Sequence, residues 1–114
     1  MADRAANTIA VVDTATDTVV HEIALAGAVS PDPAPDLFDV SPDGSRVFLT
    51  LRGSSPLTAT DPTSHNAAGQ TPGVGVVRVE RGGARGTLQA IAPLSRVVAG
   101  VDVADPHGLR VRRR

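Results

Sequence analysis

The chain has 114 residues, 41% hydrophobic and 20% charged, with no cysteine, no lysine, and only Phe38 and Phe48 as aromatics. That length suits one ordinary domain of soluble globular composition, and the absent thiols exclude disulfides and thiolate metal sites. The net charge of −1 hides an asymmetry: residues 1–77 hold three Arg against nine acids, residues 78–114 eight Arg against three.

No apolar run reaches the 18 residues of a membrane-spanning helix. Met1-Ala2-Asp3-Arg4 lacks the basic-then-apolar pattern of a secretory signal. The compartment therefore stays open, since a longer periplasmic or secreted parent would carry its signal upstream.

In chain order, Thr8–Asp13 is an apolar, β-branched run, Thr14–Asp17 supplies turn formers, and Thr18–Leu25 is a second such run. Together they predict a hairpin. His21 alternates with Val19 and Ile23 and is expected at a packing position. Residues 26–36 contain Pro31, Pro33 and Pro35, each restricting its predecessor, which predicts an extended connector.

Asp39-Val40-Ser41-Pro42-Asp43-Gly44-Ser45-Arg46-Val47 predicts a second hairpin. Pro42 presets φ, Asp43 bonds its own backbone, and Gly44 accepts a left-handed conformation. Residues 52–73 are 22 turn-forming residues, long for a connection. Strands are then expected at Val74–Val79 and Thr87–Leu94 around a Gly82-Gly83-Ala84 turn, with a short final strand over 106–112. No segment has helical periodicity, so the predicted class is all-β.

Two matches in the same order indicate a duplicated unit. Ile9-Ala10-Val11-Val12 matches Val74-Gly75-Val76-Val77 at an offset of 65, and Pro35–Val40 matches Pro106–Val111 at an offset of 71. The surplus over a usual blade repeat of ~40–45 residues is about the length of the 52–73 segment, which reads as an insertion.

The text "NTIAVVDTATDTVVHEIAL" and the Ser-Pro-Asp-Gly turn resemble the YVTN-type repeat β-propeller family from Asn7 to about Leu51. Val47-Phe48-Leu49-Thr50-Leu51 stands where that family has its aromatic-Val-Thr-Asn signature, with Leu51 replacing the Asn. The resemblance implies antiparallel four-stranded blades: half a blade at 7–25, a complete blade at 36–94 with its long loop 52–73, and the start of a third at 106–112. Propellers close ~4–8 blades around a channel, so this would be an incomplete propeller with exposed blade faces. The chain, about two blades, is then expected to be a C-terminal fragment of a longer propeller, or one of several copies that complete a ring, or poorly folded alone. A small β-sandwich from the same strands is the alternative.

His107, at the start of an expected innermost strand and matching Asp36 in the repeat, is the first candidate binding residue, with Asp36 beside it. An imidazole there suits metal ligation or general-base work, and equally a hydrogen bond ending a strand. His65, in the long loop with Asp61, Ser64 and Asn66, is the third candidate. No HExxH, EF-hand order, nucleophile elbow, P-loop or dinucleotide fingerprint is present, so no catalytic residue, metal or cofactor is assigned.

The reading is a non-catalytic binding or scaffold module with other blades as its partners. Two alternatives stand beside it. One is part of a propeller enzyme, such as a lactonase-like hydrolase with a channel-mouth site. The other is polyanion binding through the Arg-rich end, Arg110-Val111-Arg112-Arg113-Arg114. No aromatics are interleaved there for base stacking, which argues against nucleic acid.

Overall fold

A computed structural model describes residues 1–55 and 68–112. The fold is all-β. A three-stranded antiparallel sheet holds β1 (Ala2–Asp3), β2 (Thr8–Asp13) and β3 (Thr18–Ala24). A four-stranded antiparallel meander holds β4 (Pro35–Val40), β5 (Arg46–Leu51), β6 (Gly73–Glu80) and β7 (Arg85–Pro93). A two-stranded ribbon, β8 (Val97–Val98) and β9 (Val101–Asp102), follows. The sheets do not close on themselves.

The Ser41–Arg46 turn forms as its residues dictate. Gly44 N–H donates to Ser41 C=O at 2.8 Å, and Gly44 has φ 71°. Asp43 Oδ1 accepts from the Ser41 hydroxyl at 2.6 Å and from Ser45 N–H at 3.1 Å. These bonds hold the Asp43 carboxyl at a pKa of about 2, the Ser41 hydroxyl being the largest cause.

The two larger sheets pack face to face. Ile9, Ile23 and Leu25 meet Leu49, Leu51, Val77 and Leu88 in one core, with Val11, Val47 and Ile91 at its margin. The core is aliphatic, as the scarcity of aromatics requires. Phe38 and Phe48 stay outside the fully buried cluster.

The ladder registers reveal the duplication. All six pairs of β2–β3, from Thr8↔Ala24 to Asp13↔Thr18, recur in β6–β7 from Gly73↔Pro93 to Arg78↔Thr87. Both hairpins have a register shift at the same step, Val11/Val12 in one and Val76/Val77 in the other. The extra residue is therefore Val20 in β3 and Gln89 in β7. The equivalence continues beyond the ladders, because Leu25 N–H bonds Asn7 C=O just as Leu94 N–H bonds Pro72 C=O.

It also extends to β1–β2 and β5–β6, where Ala2↔Ile9 and Asp3↔Thr8 match Thr50↔Val74 and Leu51↔Gly73. The offset is 48 there and 65 one strand later, so 17 extra residues lie between Arg52 and Gly73. The extra residues fall within the 52–73 segment.

Two expectations are corrected. His21 is exposed, because the partner sheet covers β3 only around Ile23 and Leu25. Residues 106–112 form no strand: no neighbouring strand offers them a ladder, and Val111 N–H donates instead to Asp39 Oδ2 at 3.0 Å. The β8–β9 ribbon, with Ala99 and Gly100 both at positive φ as a two-residue hairpin loop requires, was not anticipated.

Candidate functional site

Arg52 immediately follows β5, and its side chain is fully buried. Burying a guanidinium is costly unless carboxylates and hydrogen bonds surround it. Here Nε donates to Asp105 Oδ1 at 2.5 Å and Nη2 to Asp105 Oδ2 at 2.8 Å, a two-pronged clasp. Nη1 donates to Asp36 Oδ2 at 2.8 Å. Burial works against the charge and is the largest single influence, but the bonds from Asp105 and Asp36 together outweigh it and raise the Arg52 pKa.

Each partner arrives by a local device. Asp36 is the second residue of β4, after Pro35, which suits the first residue of a strand because it needs no N–H there. Asp105 is delivered by the ribbon. Asp102 Oδ1 accepts from Arg96 N–H at 3.0 Å and Ala104 N–H at 2.9 Å, while Oδ2 accepts from the Ser95 hydroxyl at 2.8 Å. Those bonds, the Arg96 amide first, lower the Asp102 pKa and lock the ribbon's base. The next segment can then pass close to Gly53, where a Cβ would fall 2.1 Å from Ala104 C=O. Glycine at 53 is what permits this approach.

His107 completes the cluster. Its Nδ1 lies 2.6 Å from Asp36 Oδ2 and 3.4 Å from Arg52 Nη1. The ionised carboxylate only accepts, so the 2.6 Å contact assigns the Nδ1 proton to the bond with Asp36, and the 3.4 Å approach of Arg52 Nη1 is then no hydrogen bond. The ring is otherwise exposed.

The structure therefore brings together two sequence candidates, Asp36 and His107, which the sequence match at an offset of 71 aligns. His65 lies outside the described residues, as do Asp61, Ser64 and Asn66. Arg52 and Asp105 were missed. The available signal was the register of Arg4, which follows β1 as Arg52 follows β5. Arg4 Nη2 reaches to 3.9 Å from Asp36 Oδ1, and its Nη1 is buried without a hydrogen-bond partner.

Chemically, the cluster is a clasp. It ties the end of β5 to the start of β4 and to the chain after β9, with one cation between two carboxylates. A solvent-facing imidazole oriented by a carboxylate is one part of a general base, but among the described residues no Ser, Thr or Cys side chain is hydrogen-bonded to His107. Among the described residues no group of three or more His, Cys, Asp or Glu is placed to hold a metal ion. No family model matches the sequence, and no match is found among the curated proteins or the solved structures.

Proposed function

We propose that the chain is a non-catalytic binding or scaffold module, an incomplete propeller of the YVTN-repeat kind that works together with further blades. The observation that carries this reading is the recurrence of one bulged hairpin, register for register, in two sheets that pack on each other. The four-stranded meander has the strand order of a blade. The Asp36–Arg52–Asp105 clasp spends its charges on joining chain segments, as befits a structural part.

The test is calorimetric titration with Zn²⁺, Ca²⁺ and Mn²⁺, run beside hydrolysis assays on a lactone and an aryl ester. The scaffold reading expects no tight metal site and no turnover. Turnover by the isolated chain would overturn it.

A second reading rests on one observation, the exposed His107 ring paired with Asp36. It makes the chain part of a propeller enzyme in which this imidazole serves as base or ligand. That reading requires metal binding or turnover that disappears in His107→Ala.

A further inference from the structure

Equivalent positions of the two repeats differ in burial, and the difference has a direction. Val77 and Leu88 are 0% and 5% exposed, packed in the core. Their equivalents Val12 and Val19 are 40% and 54% exposed. On the opposite faces the order reverses. Ile9 and Ile23 are buried against the four-stranded sheet, while their equivalents Val74 and Ala92 are left half-buried and exposed on its outer side. Phe48, Val76 and Ala90 lie on that same outer side, by the alternation of β5, β6 and β7.

Each sheet thus has one covered and one bare apolar face, and the two bare faces are the complementary sides of one repeated contact. We propose that a second copy of this chain covers the outer face of the four-stranded sheet. It seats its three-stranded sheet there and takes residues 106–112 of the first copy as its missing edge strand. The inference deepens the scaffold reading and rests on it.

Three further observations favour a copy of this chain as the occupant. The equivalent hairpins have opposite charge: residues 8–24 hold Asp13, Asp17 and Glu22 with no Arg, while residues 73–93 hold Arg78, Arg81 and Arg85 against Glu80. Acidic and basic hairpins would alternate through the assembly, as electrostatic complementarity favours.

The three-stranded sheet also lacks one strand relative to its neighbour, and its open edge is β1. The β4–β5 register, Pro35↔Leu51 and Phe38↔Leu49, transfers to Pro106 opposite Asp3 and Leu109 opposite Met1 of the second copy.

Finally, Arg4 Nη1 is buried without a partner, whereas the equivalent Arg52 Nη1 bonds Asp36 on the adjoining strand. The residue equivalent to Asp36 is His107. In the assembly its exposed ring faces Arg4 of the second copy, whose guanidinium turns outward to reach it.

The contact joins unlike faces, so it is heterologous, and repeating it closes a ring of copies where the rotation between neighbours divides a full turn. The test is analytical ultracentrifugation of the full chain and of Val76→Arg and Leu109→Pro, with far-UV circular dichroism on each. Val76→Arg places a charge on the proposed interface. Leu109→Pro removes an N–H and fixes φ in a segment that belongs to no strand of the single chain, so it keeps the test open if Val76→Arg fails to fold.

The expected result is a discrete whole-number multiple of 11.6 kDa for the parent chain. Each folded variant should dissociate at least tenfold more readily, with its strand signal retained. A folded, catalytically silent monomer would overturn the assembly while leaving the scaffold reading intact. A multimer that neither variant weakens, or a parent chain with no defined mass, would also overturn it. Substrate turnover would instead remove the scaffold reading beneath it.

Discussion

His107 Nδ1 lies 2.6 Å from Asp36 Oδ2, and the sequence match at an offset of 71 aligns these two residues. It sets an acid in one segment and an imidazole in the other, and the fold brings them into direct contact beside Arg52. The cluster is read most directly as a joint between chain segments.

The central cation of that joint is its most sensitive part. Arg52→Ala removes the buried cation that bonds both Asp36 and Asp105 and should cost about 3–5 kcal/mol. Arg52→Lys keeps the charge but not the planar fork that engages both carboxylates, and should fall between. Urea denaturation of the three proteins, compared by midpoint at unchanged slope, measures this. Equal midpoints would mean that the clasp contributes nothing.

His107→Ala should behave differently. The ring is 59% exposed, and its removal leaves the Arg52 bond to Asp36 in place. The expected loss is below about 1 kcal/mol, the size of one ordinary hydrogen bond. A loss as large as that of Arg52→Ala would move the weight of the cluster onto the imidazole.

The Ser41–Ser45 turn makes a pH prediction. The Asp43 pKa is lowered from 3.8 to about 2, so its bonds stabilise the fold fully above pH 4. That contribution is lost as pH falls from about 4 through 2, because the depressed group binds its proton only there. The Asp43→Asn variant should lack this part of the acid dependence, measured as stability between pH 5 and pH 2. An unchanged profile would contradict the assigned bonds.

Gly75 and Ala10 are equivalent in the repeat, yet only Gly75 faces the packed core. A Cβ at 75 would stand 3.1 Å from Leu88 Cδ1 and 3.3 Å from both Leu49 Cδ2 and Leu51 Cδ1. Gly75→Ala should therefore destabilise by about 1–3 kcal/mol through overpacking. Thermal unfolding checks the sign, and a stabilised variant would show that the core has room.

The hairpins were legible in the sequence because their signals are local. Alternating apolar residues, the Asp43-Gly44 turn and the prolines at 31, 33 and 35 act within a few positions. The repeat located Asp36 and His107 as equivalent sites. The clasp itself was not legible, since Arg52 meets partners 16 and 53 residues away and nothing local marks either contact. Arg4 and Arg52 are related by an offset of 48, whereas the visible text repeats at 65 and 71. The extra residues after Arg52 hid the match. His21 was misplaced because alternation tells which face a residue takes, but not how far the partner sheet extends over it. The strand expected at 106–112 failed for a related reason: strand-forming residues still need a neighbour to bond.

The account stands on the claim that one bulged hairpin occurs twice. Cross-strand nuclear Overhauser effects in the folded chain test it most directly. The account predicts close backbone contacts for Val11 with His21 and Val12 with Val19, mirrored by Val76 with Ala90 and Val77 with Leu88. Val20 and Gln89 should both be left out as the bulged residues. Different registers in the two hairpins, or a bulge in only one, would contradict the duplication and with it the equivalence of Arg4 to Arg52 and of Asp36 to His107.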